Sequence, residues 1–363
     1  MGCRKPQQTT SVRFSIKAVE TVKRDFYMDD ILKSVETIEA KNLVNELKTL
    51  CNEGGFNLTK WTSNRREVLV NIPVEERAKE LRDLDSDASP LPMERTLGIL
   101  WSPEVDEFQF RSLLTETEAT RRAMLSVISS VYDPLGFISP LIIPAKMLLQ
   151  EMCKQKAGWD DKPDNTTLDK WKQWTQNIKD IQEVKIDRCY VPRGHGKVAS
   201  RELHAFSDAN EVGYGVVIYL RSTNERGEVH VSLVSSKTRV VPLKKVTIPR
   251  LELTAATLAV KMVHVVTREL DFDIARTMYW TDSTAVLRYI ANVQAMYLTF
   301  VANRVQLIRE ATSLSQWHHV STRENPADMT SRGVKRTQDL ITGIWFKDQI
   351  SCGNQNQSGR EMC

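Results

Sequence analysis

Paired cysteines are missing from this 363-residue sequence. Its six, Cys3, Cys51, Cys153, Cys189, Cys352 and Cys363, are scattered along the chain. That spacing suits neither a zinc site nor a disulfide framework and implies a reducing, intracellular setting. His318 and His319 adjoin each other but lack the cysteines of a zinc knuckle. No apolar run approaches the roughly 20 residues that span a bilayer, so no membrane partner is expected. The start, Met1-Gly2-Cys3-Arg4, has no apolar core for a signal peptide, and Pro6 stands where a myristoylation signal carries Ser or Thr. Strong charge of one sign is lacking too. Fifty Lys and Arg against 46 Asp and Glu leave a net +4, so polyanion binding requires local clustering.

What is present is ordinary for a globular chain: 41% hydrophobic and 26% charged residues, at a length that holds two or three domains. Four segments emerge, without internal repeats. Residues 1–116 mix short strands and helices. Ile38, Val44, Leu47 and Leu50 sit near helical spacing, and Gly54-Gly55 stops the run. Val68 to Pro73 and Leu97 to Trp101 read as strands, with Asp83 to Ser89 a surface loop. Residues 117–200 look mostly helical, with Met147 to Leu149 on one helix and Leu168, Trp171 and Trp174 on another, separated by Pro163-Asp164. In residues 201–335 three strands (203–208, 213–220, 229–235) precede a helix over 251–270 and a strand over 276–281. Helices around Val286 and Val305, a strand at 317–320 and a short helix at 325–332 follow. The expected fold is α+β or α/β, a mixed sheet covered by helices. Residues 336–363 form a polar tail, aperiodic and disordered after Lys347.

Four acidic residues stand at strand ends or on adjoining helices of the third segment. Asp208 ends its first strand, Glu252 lies in the first turn of the long helix, Asp282 ends the next strand and Asp328 begins the last helix. A sheet sets strand ends side by side, so residues distant in sequence converge on one edge. Gathered carboxylates raise one another's pKa, and divalent cations remove that cost. Mg²⁺, or Mn²⁺, suits an all-oxygen site. Two such ions about 3.5–4 Å apart activate a water and stabilise the leaving oxygen of a phosphodiester. Singly, each residue reads equally as a turn former or helix cap; together and in order they form a candidate site.

The surrounding residues make the pattern specific. Ser207-Asp208-Ala209-Asn210 with Gly213-Tyr214-Gly215, Arg250-Leu251-Glu252-Leu253, Trp280-Thr281-Asp282-Ser283 and Asn325-Pro326-Ala327-Asp328-Met329-Thr330-Ser331-Arg332-Gly333 resemble the ribonuclease H domains of retroelements. The resemblance implies metal-ligand roles for Asp208, Glu252, Asp282 and Asp328. His319 lies where many relatives carry a His that assists product release or proton transfer; His318 is the alternative, as is a packed or solvated ring. Upstream, Phe26-Tyr27-Met28-Asp29-Asp30 resembles the reverse transcriptase hairpin that offers paired carboxylates to Mg²⁺. Ser129 to Pro140, with Trp159-Asp160-Asp161 and Trp171-Lys172-Gln173-Trp174, is similar to Pao/Bel-type LTR retrotransposon Pol polyproteins. The resemblance covers about residues 25–335. It implies a partial reverse transcriptase palm, a helical thumb or connection region and a ribonuclease H-like domain, with the remainder of a Pol polyprotein as a partner.

That family's polymerase takes a further Asp from an upstream palm strand, whereas only Glu20 and Asp25 precede Tyr27 here. No DNA synthesis is therefore expected from this chain alone. The Asp-Thr-Gly or Asp-Ser-Gly turn of an aspartic peptidase is absent; Asp282-Ser283-Thr284 lacks the glycine. Lys237, Arg239, Lys244, Lys245 and Arg250 lead into the Glu252 helix. They read either as a track for a phosphate backbone or as ordinary solvated cations. Two functions follow: cleavage of RNA in an RNA–DNA hybrid, or a catalytically inactive nucleic-acid-binding or structural relic of a retroelement.

Overall fold

The computed structural model describes residues 14–27, 30–81, 91–96, 98–112 and 118–346. The chain divides into two compact units, residues 1–109 and 110–363. Among the described residues no helix is long and apolar enough to cross a membrane. Cys51, Cys153 and Cys189 carry free thiols.

In the first unit, helix α1 (Ile16–Arg24) starts at Ser15, whose Oγ accepts from the Ala18 amide at 3.1 Å. Strands β1 (Phe26–Tyr27) and β2 (Asp30–Ile31) pair antiparallel, Tyr27 opposite Asp30. Met28 and Asp29, at the tip of the expected hairpin, lie outside the described residues. Lys33 closes on Asp25 at 2.8 Å. Helix α2 (Thr37–Glu53) buries Leu43 and Leu47 against Ala18; of the four residues whose spacing suggests the helix, Leu47 is buried, Val44 and Leu50 are half-buried and Ile38 is exposed. The strand expected over 68–73 is instead helix α3 (Arg66–Leu69). Val68, Leu69 and Ile72 fill one small core, a spacing served by a helical turn and not by alternation. Strands β3 (Glu94–Thr96), β4 (Ile99–Ser102) and β5 (Glu107–Gln109) form an antiparallel meander. The loop expected over 83–89 falls outside the described residues.

The second unit begins with α4 (Arg121–Ser130), α5 (Ser139–Lys154), α6 (Asn165–Ile178) and the short β6 (Lys185–Asp187). Three long strands follow: β7 (Val198–Ala209), β8 (Gly213–Asn224) and β9 (Val229–Val240). Then come α7 (Ile248–Glu269), β10 (Arg276–Thr281), α8 (Thr284–Ala291), α9 (Thr299–Ala311), β11 (Trp317–His319), α10 (Asp328–Arg332) and α11 (Thr337–Thr342). The sheet order is β11-β10-β7-β8-β9. β8 runs antiparallel to both β7 and β9, while β10 runs parallel to β7 and β11. This is the mixed α/β sheet with flanking helices that the sequence predicts. Alternation along β7 and β8 sends Leu203, Ala205, Val216, Ile218 and Leu220 into one core with Leu253, Ala256, Ala259, Val260 and Val263 of α7. The alanines let the helix lie close to the sheet.

The segments expected as separate, 117–200 and 201–335, fall together in the second unit. A turn at Asp133–Phe137 joins them. Half-buried Asp133 accepts the Phe137 and Ile138 amides at 2.9 and 3.0 Å, and desolvation pushes its carboxyl up to about 6. The Ser236 amide of β9 donates to the Leu135 carbonyl at 2.8 Å. The indole of fully buried Trp345 donates to the Phe137 carbonyl at 2.8 Å, so the end of the described chain locks the same turn. Gly136 has φ +80°, and a Cβ there would lie 2.0 Å from the Ser236 carbonyl oxygen. Gly136→Ala is expected to lower stability in urea by about 1–3 kcal/mol, the cost of forced overpacking. An unchanged midpoint would contradict this role of the turn.

On the other face of the sheet from α7, Glu202 meets His204 (Nε2 3.7 Å), Arg276 (2.7 Å) and Arg221 (3.2 Å). The indole N–H of Trp280 donates to His204 Nδ1 at 3.1 Å. The His204 ring, then Arg276 and Arg221, hold the Glu202 carboxyl down to about 2 against its burial. A carboxyl lowered in the folded state adds stability that is full above its unfolded pKa, about 4.3, and lost as pH falls through the folded value. The stability gap between the native chain and Glu202→Gln should therefore be widest above about pH 4.5 and close towards pH 2. Urea titrations across that range test it; a gap independent of pH would contradict the assignment.

Candidate active site at the end of the central strands

Parallel pairing sets Ser207 of β7 opposite Thr281 of β10. Asp208 and Asp282 each follow that pair by one residue, on strands that lie about 4.8 Å apart. Strand β7 continues one residue past Asp208 to Ala209, while β10 ends at Thr281, as the sequence suggests, with Asp282 just beyond it. Helix α7 starts at Ile248, so Glu252 is its fifth residue, not in its first turn. Asp328 is the first residue of α10.

The docking of α10 on the sheet brings Asp328 in. A Cβ on Gly215 would lie 2.3 Å from Thr330 Oγ1 and 2.7 Å from the Lys237 carbonyl oxygen, so only glycine lets α10 approach β8 this closely. Asn325, fully buried, donates through Nδ2 to the Ser207 carbonyl at 3.2 Å and accepts the Ala327 amide at 3.1 Å. It ties the last acidic helix to the first acidic strand.

Electrostatics link the four carboxylates in one row. Burial, opposed by the Ser331 hydroxyl and reinforced by Asp282 and Asp328, pushes the Asp208 carboxyl up to about 6. Burial likewise raises Glu252, opposed by Ser283 and reinforced by Asp282. The couplings link Glu252 with Asp282, Asp282 with Asp208 and Asp208 with Asp328, and in that sense the four form a row. Each member accepts from a neighbour: Ser283 Oγ on Glu252, Ser331 Oγ on Asp208, Thr322 Oγ1 on Asp282 at 2.7 Å, and Arg332 Nε on Asp328 at 2.5 Å. Among the described residues no three metal-ligating side chains close on one point. The donor chemistry nonetheless fits a hard divalent cation, because the set is all oxygen and its negative charge is met by one partly exposed guanidinium.

His319 is exposed at the end of β11, its backbone in register with Thr281. His318 points elsewhere, its ring 4.9 Å from that of Trp280, and burial lowers its pKa. Of the cations, Lys237 and Arg239 occupy alternate exposed positions of β9, and Lys244 and Lys245 are exposed between β9 and α7. Arg250 differs: it is half-buried on α7, its guanidinium 5.4 Å from the centre of the Phe300 ring. Ser283, Thr322, Ser331 and Asn325 contact the site without having been singled out by the sequence. Three of them stand in the motif stretches, where only their letters were visible.

No curated protein matches the chain in sequence. Among solved structures it is similar to the N-terminal RNase H domain of a Mycobacterium tuberculosis protein, solved as a fusion with maltose-binding protein. Identity there is 9%, covering 36% of this chain and 91% of that one, with a TM-score of 0.26. It is also similar to RNase H1 from the halophilic archaeon Halobacterium salinarum, at 16% identity over 37% and 94% of the two chains, TM-score 0.25. A foamy viral protease-reverse transcriptase in complex with double-stranded DNA matches at 10% identity over 63% and 44%, TM-score 0.22. At these scores none of the likenesses bears on function. A family model is the informative match: it spans residues 120–283, from α4 through β10, and takes in Asp208, Glu252 and Asp282 but not Asp328. That model is the Pao retrotransposon-like RNaseH-like domain, which residues 120–283 of this chain match.

Proposed function

We propose that this chain is a divalent-metal-dependent nuclease of the ribonuclease H type, cutting the RNA strand of an RNA–DNA hybrid. The observation that carries the reading is the row of four carboxylates at one end of β7 and β10, two of them raised by burial and by their acidic neighbours. Asp208, Glu252, Asp282 and Asp328 would hold Mg²⁺ or Mn²⁺. When bound, such ions supply an activated water and stabilise the oxygen that leaves phosphorus.

The chain's own groups do the rest. Asp208 and Asp282, set beside each other by adjacent strands, would be ligands of the ion, since two carboxylates alone would repel an anionic phosphate. His319, exposed at the end of the neighbouring strand, would be the group that assists product release or proton transfer. Lys237, Arg239, Lys244 and Lys245 are exposed, and among the described residues none is drawn into an ion pair, which leaves them for phosphates. Recognition of a hybrid rests on duplex shape and the 2′-hydroxyls of one strand.

A second reading has its own support: no three ligands converge among the described residues, which favours a folded nucleic-acid-binding relic without turnover. The full chain, incubated with an RNA–DNA hybrid and Mg²⁺, separates the two. The nuclease reading expects RNA cleavage that Asp282→Asn abolishes. It also expects millimolar Mg²⁺ to raise the melting temperature of the native chain and not of the variant. Binding without cutting, and no Mg²⁺-dependent shift, would establish the relic.

The basic residues of β9 have a separate readout. Replacing Lys237 and Arg239 together by alanine should weaken hybrid binding and flatten the plot of log K against log salt. The change expected is roughly 0.7–0.9 in slope for each phosphate that the variant no longer neutralises. An unchanged slope would return both residues to ordinary surface cations.

A further inference from the structure

We propose that edge strand β11 is an acid-sensitive latch: a proton taken up by His318 releases the strand from β10 and draws Thr322 and His319 away from the carboxylates at the strand ends. As control of a nuclease site it rests on the reading above; as a property of the sheet it stands alone.

Strand β11 is three residues long, lies at the edge of the sheet and pairs with β10 alone. Successive side chains of a strand point to opposite faces. Trp317 is buried in the core beneath α7, its ring 4.8 Å from that of Tyr279 and its indole N–H donating to Thr312 Oγ1 at 2.9 Å. His318 faces the other way, onto Trp280 at 4.9 Å, whose indole also stacks on Phe206 at 5.8 Å. Flanking bonds are few: the Val320 amide donates to the Thr281 carbonyl at 3.1 Å and Gln316 Nε2 to the Thr277 carbonyl at 3.0 Å. So short an edge strand can open without the rest of the sheet.

Nothing on this face is arranged to receive a charged His318. Its Nε2 is buried and has no hydrogen-bond partner. The register sets out the neighbours in rows: Glu202 with Arg221 and Arg276, His204 with Tyr219 and Met278, Phe206 with Trp280 and His318, then Asp208. The Glu202 carboxylate is already held by Arg276 and Arg221. His204 spends Nδ1 on the Trp280 N–H and turns Nε2 towards Glu202, so it offers His318 no acceptor. Helix α10 meets the face at Gly215 and Trp345 meets it at Tyr219, both on β8, with β7 and β10 between them and β11. Burial, and then His204, hold the His318 imidazole below its ordinary pKa. A neutral ring packs on the indole; a charged one gives up water beside a second imidazole.

The strand connects that ring to the site. Thr322, in the short 3₁₀ turn after β11, donates to Oδ2 of Asp282 at 2.7 Å, and His319 stands in register with Thr281. Both leave when β11 leaves. With the strand open, His318 lies in water and titrates near its unperturbed value of about 6.5. The closed strand binds that proton less well, so the open state holds more protons in acid. Opening is therefore favoured as pH falls below about 6.5, and the latch is fully closed above it.

Hydrogen exchange of the full chain, read by mass spectrometry and corrected for the intrinsic rate at each pH, tests this from about pH 8 to about pH 5. Peptides from α7 report whether the whole unit loosens. In the native chain the β11 amides should be equally protected down to about pH 6.5, then exchange faster by up to about ten-fold per pH unit, the limit for one proton. His318→Phe keeps a ring on Trp280 that cannot charge, and should hold the strand closed throughout; His318→Gln repeats the test if Phe disturbs the fold. His319→Phe should respond as the native chain does. Protection independent of pH, a loss shared equally by α7, or a loss that survives in the His318 variants would overturn the latch. So would protection that rises in acid, the sign that the Trp280 face attracts the charge. A chain that opens in this way but cuts no hybrid keeps the latch and loses the nuclease reading; one that cuts, with β11 indifferent to pH, does the reverse.

Discussion

Like charge at close quarters is the constraint around which the second unit is organised. Four carboxylates from β7, α7, the end of β10 and α10 share one end of a sheet. Two of them are pushed up in pKa because burial removes water that would otherwise screen them. A fold that only sought stability would separate these groups. Here the parallel register of Ser207 with Thr281 forces Asp208 and Asp282 to be neighbours, and Asn325 ties α10 to that same strand. The surrounding hydroxyls lessen the repulsion without supplying charge, which leaves the row suited to a cation.

The helices before the sheet belong to that arrangement. The Asp133–Phe137 turn lies against β9, and Trp345 pins the turn from the other end of the described chain. Helix α5 also meets α10 directly: the Val334 amide, just past α10, donates to the Pro140 carbonyl at 2.9 Å. The helix carrying Asp328 is thus supported from beneath by residues more than 180 positions earlier in the sequence. The family match starting at residue 120, well before the first long strand, has a physical basis in these contacts.

Much of this was legible in the sequence. The three consecutive strands from residue 203 and the alanine-rich helix after Glu252 were legible, because local sequence sets both kinds of element. The four acidic positions were legible through their motif neighbours. Less legible was everything set by long-range packing. Val68 to Ile72 reads as a strand by composition, yet it finds no strand partner and forms a helical turn. The packing across residue 200 was not legible, because it rests on a single loop, 133–137, that bonds to β9 a hundred residues later. Ser283, Thr322 and Ser331 were visible only as common polar letters, since the carboxylate each one meets is set by packing. His319 and His318 could not be told apart until β11 set one ring against Trp280 and left the other exposed.

The most direct test of the central claim is anomalous scattering from crystals of the full chain grown or soaked with Mn²⁺. A carboxylate row that acts as a cation site predicts an anomalous peak bonded to Asp208 and Asp282, with Glu252 or Asp328 completing the protein ligands. Manganese bound elsewhere, with those two side chains still held only by Ser331 and Thr322, would contradict it.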